Sequence, residues 1–514
     1  MAAVISIDAG TTGVRSIAFD SDQGQPICSS YRELTQYFPQ PGWVEHDPLE
    51  IWELVRATLG EVARQLAAER QSAAAIGITN QRETVVAWNR RTGKPQGPAI
   101  VWQDRRTAQY CEQLKTQGHE ELVRQTTGLV LDPYFSASKM RWLIRQGGIE
   151  LGPDLLFGTV DSWVAWNLTG GNRGGAHVTD PSNASRTMLF DIGSRKWSAE
   201  LADLFEIPLT CLPEVVPSSQ RCGLTASAIA GDLPAGIAVS GIAGDQAAAL
   251  FGQACFEPGN AKCTYGTGSF ILMNVGQECP EPVEGVLTSL AWQLGTDAGA
   301  SNGQIAYALE GAIFSTGSAI QWLRDGLGII EQAYHVGPLA SQVEGSDGAY
   351  FVPAFNGLGC PWWDPSARGI LTGVTRGIGR TQIARAVVES IAFQVRDAID
   401  LMSGASAGTG TDKTDSVLRC DGGAAAMDLL LQIQADQLQS PVQRASVGET
   451  TALGAAWLAG LAEGVWANLD DLSQLWKGGE PFVPSMAPQV ADALHQGWLA
   501  AVGRSRQWAQ ETLG

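Results

Sequence analysis

Residues 4–19 read VISIDAGTTGVRSIAF. The apolar run Val4–Ile7 predicts a strand, DAGTTG at 8–13 a tight turn, and Val14–Phe19 a second strand. The segment is therefore a β-hairpin whose turn is rich in glycine and hydroxyls. Glycine lets backbone N–H groups approach an anion, and neighbouring threonine hydroxyls donate further hydrogen bonds. Thr11, Thr12 and Gly13 form a candidate phosphate cradle, and Arg15 just beyond it supplies positive charge. Asp8, at the end of the first strand, is a candidate ligand for Mg²⁺ through water, because that ion prefers oxygen and keeps part of its hydration.

A near-echo lies half a chain away. Cys263–Tyr265 enters, GTGS at 266–269 turns, and Phe270–Met273 leaves. Tyr265 stands 257 positions after Asp8, half of the 514 residues. Gly266, Thr267 and Gly268 make a second candidate cradle. A third glycine turn, DGGAAA at 421–426, follows the run Ser416–Cys420. The pattern predicts a duplicated α/β architecture, two domains each opening on a hairpin that faces a shared cleft. Between the hairpins, Asp47-Pro48-Leu49-Glu50 predicts a helix start with an N-cap, a proline at the first position and a glutamate at the third. Trp52, Val55, Leu59, Val62 and Leu66 then give one apolar stripe. A second helix is predicted around 381–401, and the Ala/Gly-dense stretch 450–461 predicts a helix packed close to a neighbour. Short strands are expected at 75–78, 84–88 and 100–102, and a loop at 404–415.

Composition narrows the function. The chain carries 34 basic and 53 acidic residues, a net charge of −19, which argues against affinity drawn from phosphate backbones of nucleic acid. Only 17% of residues are charged and 44% are hydrophobic, so disorder is excluded. No run of 18 apolar residues predicts a transmembrane helix, and the opening MAAVISIDAG does not read as a signal peptide. Nine scattered cysteines without a CxxC pair read as reduced thiols of a cytoplasmic protein, and the five histidines are isolated. Neither GxxxxGK[ST] nor GxGxxG occurs, so the phosphate site is neither a P-loop nor a dinucleotide fingerprint.

Further stretches carry a resemblance. GWVEHDP (42–48), GITNQRET (77–84), DPYFSASK (132–139), SNASRTMLF (182–190), GIAGDQAAALFGQ (241–253), YGTGSF (265–270), VPAFNGLGCPWWDPSARG (352–369), VESIAFQVRD (388–397) and TALGAAWLAGLA (451–462) appear in that order. Together with the first hairpin they resemble the glycerol kinases, carbohydrate kinases that share the actin and hexokinase ATPase fold. The hairpin alone indicates only the superfamily, which also holds other polyol and ketose kinases (erythritol, xylulose) and non-catalytic actin-like nucleotide-binding proteins. NQRET, SNASRTMLF and GIAGDQ are more specific.

The resemblance implies two ribonuclease-H-like domains, 1–249 with the polyol site and first hairpin, and 250–514 with the second hairpin and the adenosine site. It implies transfer of the γ-phosphoryl group of ATP, with Mg²⁺, to a terminal hydroxyl of glycerol, and a cytoplasmic homo-oligomer, a dimer or tetramer. By the same match Arg82, Glu83, Tyr134, Asp245 and Gln246 bind glycerol, with Trp102 and Phe270 as the apolar wall. Arg82 offers a fork of donors and Glu83 two acceptors, a suitable pair for vicinal hydroxyls. Consecutive strand residues face opposite ways, so the pair converges only in a turn past strand 75–78. Asp245 is expected as catalytic base, taking the proton late, since phosphoryl transfer is loose at the nucleophile. It also reads as the N-cap of a helix starting at Gln246. Thr11, Thr12, Gly13, Arg15, Thr267, Gly311 and Gly423 match the nucleotide-side positions, and Asp8 the metal position.

Three departures stand out. The first hairpin has Ala9 where glycerol kinases commonly have Gln. Met427 stands where the family usually has Asn after DGGA, so a polar adenine contact is not carried over. The segment AIAGDLPAG (228–236) lacks the Gly/Arg character some bacterial members use for fructose bisphosphate and the histidine others use for phosphotransfer control. His46 in GWVEHDP matches the family without a role in this reading.

Overall fold

The computed structural model describes residues 2–226, 233–295, 303–405 and 417–509. Most of the predicted loop 404–415, and much of 228–236, lie outside these residues. Two six-stranded sheets form the frame. The first contains β1 (Ala2–Ala9), β2 (Gly13–Asp20), β3 (Pro26–Glu33), β4 (Ser72–Asn80), β5 (Ser219–Leu224) and β6 (Ala238–Gly244), in the order β5-β6-β4-β1-β2-β3. The second contains β7 (Ala261–Tyr265), β8 (Ser269–Gly276), β9 (Leu287–Gln293), β10 (Ile305–Ile313), β11 (Leu418–Asp421) and β12 (Val442–Arg444), in the order β9-β10-β8-β7-β11-β12.

The two sheets repeat one plan. In the first, β1 pairs antiparallel with β2 and β2 with β3, while β1 pairs parallel with β4 and β4 with β6. In the second, β7 pairs antiparallel with β8 and β8 with β10, while β7 pairs parallel with β11 and β11 with β12. The hairpin echo predicts the duplication, and the plan is the ribonuclease-H-like topology that the family resemblance implies. Strands buried on both faces explain why these stretches read as nearly continuous apolar runs instead of alternating ones.

Helices make the layers. On the outer face of the first sheet, α1 (Pro48–Ala68) and α2 (Val160–Leu168) bury Val55, Leu59, Val62 and Val164 against Ile5, Ile7, Ile76 and Val239. Asp47 caps α1 as expected, accepting from the Leu49 N–H at 2.8 Å. Glu50 does not close the capping box; it takes the Thr35 N–H and hydroxyl at 3.1 and 2.8 Å. Between the sheets lie α3 (Asp245–Gly252) and, from the far end of the chain, α6 (Thr450–Ala462), packed with Val4, Phe19, Leu272 and Trp292. On the outer face of the second sheet, α4 (Arg380–Ala405) and α5 (Asp428–Leu438) bury Ile391, Val395 and Leu431.

The Ala/Gly content of α6 has its reason in this packing. A Cβ on Gly77 of β4 would stand 2.0 Å from the Ala455 carbonyl, and one on Gly454 would stand 1.8 Å from the Ala248 carbonyl. Only glycine lets backbone approach backbone this closely. A four-stranded sheet, formed by Glu45–His46, Ala99–Ile100, Val85–Asn89 and Leu155–Thr159, flanks the first. It fixes the bend at 81–84, where the chain passes from β4 into strand Val85–Asn89. No described helix is long and apolar enough to cross a membrane. All nine cysteines are free thiols.

Candidate active site

The bend after β4 places Arg82 and Glu83 past the strand end, as the alternation argument requires. Glu83 takes a left-handed φ of 59°. Both side chains are buried, with exposures of 4% and 2%. The pair is not free, however. The fork of Arg82 grips Glu310 of β10, Nη1 to Oε2 at 2.7 Å and Nη2 to Oε1 at 2.8 Å. Glu83 Oε1 accepts from Arg186 Nε at 2.7 Å, and Arg186 also reaches Glu310 at 3.3 Å. The vicinal-hydroxyl reading is therefore narrowed: each nitrogen at the tip of the fork already gives one N–H to Glu310. Its Nε is 3.0 Å from Asp245 Oδ1 in an orientation that makes no hydrogen bond, so that buried N–H lacks a partner.

Burial opposes the charge of Glu310, but Arg186 and Arg82 outweigh it and hold its pKa down, at about 2. Burial pushes Glu83 up, and the same two cations pull it back without cancelling the rise. Lys262 completes the cluster. It is buried, donates to Gln246 Oε1, and reaches Thr264 Oγ1 at 3.1 Å and the Phe270 carbonyl at 3.3 Å. Three cations (Arg82, Arg186, Lys262) thus face three carboxylates (Glu83, Glu310, Asp245), and this part of the site is close to neutral. Tyr134 and Trp102 close it from above, their rings 5.5 Å apart edge to face, and Arg186 stacks 5.5 Å from the Tyr134 ring. A neutral, polar, aromatic-walled site suits a small neutral polyol.

Asp245 is the first residue of α3, with Gly244 as N-cap. This corrects the reading of Asp245 as the cap itself, although its Oδ1 does accept from the Gln246 N–H at 2.7 Å. It lies at the C-terminal end of β6, level with the end of β1, because β6 and β1 flank β4 in parallel. Asp8 is there, half-buried. Burial first, then the charges of Asp245 and Glu449, push its pKa up to about 7, and Arg15 offsets only part of this. Arg15 is itself paired with Glu449, the residue before α6. The hairpin end of the site is thus short of positive charge. Among the described residues no three His, Cys, Asp or Glu groups cluster as a metal cage. A single carboxylate in a negative field fits a cation that keeps its water and brings phosphate ligands with it.

The tip of the first hairpin, Gly10 to Thr12, is tied to this surround by side chains. Trp102 Nε1 donates to Thr11 Oγ1 at 2.9 Å, and Gln81 Nε2 to the Gly10 carbonyl at 3.2 Å. The second tip is held mainly by backbone. Thr316 and Ser318 N–H groups donate to the Thr267 carbonyl at 2.9 and 3.1 Å, and Gly317 to the Gly266 carbonyl at 3.0 Å. Thr267 is exposed. Gly311 follows Glu310 inside β10, with Met402 and Cys360 side chains about its Cα. Gly423 opens the turn after β11, beside Gly422, which packs on the Tyr265 backbone.

Arg186, Glu310, Lys262 and Glu449 were not singled out from sequence. Arg186 sits inside the quoted SNASRTMLF. Glu310 is the one charge in the apolar strand IAYALEGAI (305–313), and Lys262 the one charge in AKCTY (261–265). A lone charge in a fully buried strand is the signal that could have found both, since such a charge needs a partner.

The chain matches the model of the N-terminal domain of the FGGY family of carbohydrate kinases over residues 3–252 and that of the C-terminal domain over 261–463. It is 49% identical to glycerol kinase 2 of Thermotoga maritima over 510 residues, 98% of this chain and 99% of that protein. It is 48% identical to glycerol kinase of Pseudomonas fluorescens over 512 residues, 99% of this chain and 98% of that protein. Among solved structures, Plasmodium falciparum glycerol kinase with ADP superposes with a TM-score of 0.90 at 33% identity, covering 98% of both chains. With family models spanning most of its length and relatives of near-equal length at this identity, the chain belongs to the FGGY family of carbohydrate kinases.

Proposed function

We propose that the protein transfers the γ-phosphoryl group of ATP to a terminal hydroxyl of glycerol, giving sn-glycerol 3-phosphate. The observation that carries this is the position of Asp245, which touches the neutral polar cluster through Arg82 and the first hairpin through the field it shares with Asp8. In this reading the unpartnered Arg82 N–H meets a hydroxyl oxygen of glycerol, and Glu83, Tyr134 and Gln246 border it. Trp102 and Phe270 cover the CH face. Asp245 accepts the hydrogen bond of the attacking hydroxyl and takes its proton late, because a carboxylate is too weak a base to ionise an alcohol in advance.

Thr11, Thr12, Gly13 and Arg15 hold phosphates on one side and Thr267 on the other, with Gly311 and Gly423 bordering the nucleotide. Asp8 would hold Mg²⁺ through water, and that ion supplies positive charge between the phosphate oxygens. Residues 1–249 form the polyol-side domain and 250–514 the nucleotide-side domain, with α6 the segment of the second that docks on the first. A cytoplasmic setting and a homo-oligomer belong to the same reading.

ADP release measured across a panel of glycerol, erythritol, xylulose and ribulose tests the assignment. Glycerol is expected to give the highest kcat/KM. A preference for a five-carbon sugar would replace glycerol as the substrate.

A further inference from the structure

His46, the histidine of GWVEHDP, is fully buried and has no task in the reaction described above. Its neighbours point to one tautomer. The Gly10 carbonyl can only accept, so the Gln81 atom 3.2 Å from it is the amide nitrogen. The amide oxygen receives Thr84 Oγ1 at 2.9 Å, and Thr84 Oγ1 in turn takes the Trp102 backbone N–H at 3.2 Å. The amide is therefore fixed from both ends. Its nitrogen has a second hydrogen, and His46 Nδ1 lies 3.3 Å away. A donor at that point requires a lone pair on Nδ1. The imidazole is then neutral, with its proton on Nε2, which has no partner. Burial agrees with this, holding the His46 pKa down to about 4.

The consequence reaches the hairpin. The Gly10 carbonyl and the Thr11 N–H belong to one trans peptide and point in opposite directions. Anchoring the carbonyl to Gln81 aims the Thr11 N–H away from Gln81. Trp102 Nε1 meanwhile occupies a lone pair of Thr11 Oγ1, leaving that hydroxyl its proton to donate. Both Thr11 donors are thus set by groups behind the turn, and His46 is the last link of that set. Without an acceptor at Nδ1, the Gln81 amide has a buried N–H to satisfy and is free to leave Gly10.

We propose that His46 is a positioning residue for the first phosphate hairpin, acting through Gln81 on the Gly10–Thr11 peptide. The proposal rests on the reading of that hairpin as a nucleotide-phosphate site. Its signature is an effect on one substrate and not the other. In His46→Leu and His46→Gln the KM for ATP rises about tenfold while the KM for glycerol stays within about twofold, the size of one hydrogen bond. His46→Asn places an amide oxygen where Nδ1 stood and restores the KM for ATP to within about threefold. Equal rises in both KM values, or an Asn variant no better than Leu, would overturn the proposal.

Two measurements separate it from the functional reading. In the unsubstituted protein, ¹⁵N-histidine NMR is expected to show His46 unprotonated at Nδ1 and protonated at Nε2, and a proton on Nδ1 would overturn the link. If no polyol is phosphorylated, the functional reading falls. Calorimetry with ADP then takes the place of KM: weaker binding in the Leu variant, restored in Asn, supports the link, and unchanged binding in Leu refutes it.

Discussion

The two hairpins occupy the same place in two copies of one sheet plan, yet they are built differently. The first is held largely by side chains reaching from elsewhere, Trp102 to Thr11 and Gln81 to Gly10, beside a backbone bond from the Leu34 N–H to the Thr12 carbonyl at 3.0 Å. The second is held mainly by consecutive backbone N–H groups at 316–318, with the Ser318 hydroxyl adding a bond to the Thr267 carbonyl at 3.3 Å. Their acids differ too. The first half leaves Asp8 and Asp245 facing the site. In the second half Thr264 takes the place of Asp8, and Asp421, at the end of the neighbouring parallel strand, is bound by Thr450 and by Gln253 Nε2 at 3.2 Å. Duplication supplied two glycine turns, and under the proposed function divergence made the first the seat of chemistry and the second a fixed support. Side-chain support can be tuned or lost by single substitutions; backbone support is nearly sequence-independent.

The strongest test of that asymmetry sets Asp245→Asn against Asp421→Asn. The first is expected to lower turnover about a thousandfold, the range of general-base loss, while glycerol binding by calorimetry persists. The second should stay within about tenfold of wild type, since Thr450 and Gln253 hold its Oδ2 as a structural acceptor. Equal losses would erase the division of labour. Next, Glu310→Ala strips the shared anion from two buried guanidiniums. Breaking a buried pair from one side costs about 3 kcal/mol, to be read from urea unfolding, and the KM for glycerol should rise more than that for ATP.

A smaller contrast sharpens the hairpins directly. Thr11→Val leaves the half-buried Trp102 indole N–H without its acceptor, costing about 1 kcal/mol of stability as well as ATP affinity. Thr267→Val should weaken ATP binding but keep stability within about 0.5 kcal/mol, because the turn does not depend on that side chain. The smallest effect is a slope, and it compares buried acids of the two halves. Burial pushes Asp161 up to about 7, with the Thr159 and Thr179 hydroxyls only moderating the rise. The folded state then keeps a proton that the unfolded chain has released above about pH 4. Stability from this group is full below that pH and falls as pH climbs towards 7, by about 1 kcal/mol per pH unit. Asp161→Asn should flatten thermal melts across that window. Asp397 of the second half is also pushed up by burial, but it has His495 Nε2 at 2.7 Å and Trp498 Nε1 at 2.8 Å as partners. Asp397→Asn should therefore destabilise at every pH, where Asp161→Asn changes mainly the slope.

The comparison also explains what could be read from sequence. Turn chemistry is local, so DAGTTG and YGTGSF disclosed both hairpins, and their spacing disclosed the duplication. The start of α1 was legible because proline and an aspartate cap act within four residues. The ion cluster was not, because Arg82 and Glu310 are 228 positions apart, Arg82 being one of the polar run NQRET and Glu310 a lone charge in an apolar strand. Arg82 and Glu83 were correctly placed past a strand end by alternation, but alternation says nothing of who else competes for them. His46 was visible as part of a motif and mute, because its meaning lies in which nitrogen faces Gln81.

Helix α6 has a consequence for synthesis. The face formed by β1, β4 and β6 is closed by residues 450–462, backbone against backbone at Gly77 and Gly454. A ribosome releases the first sheet hundreds of residues before its cover exists. The nascent first half must therefore wait with an apolar, glycine-lined face exposed, in contrast to the usual domain-by-domain order of folding. A fragment stopped at residue 249 should collect on chaperones or aggregate, and adding a peptide of residues 448–464 in trans should rescue it.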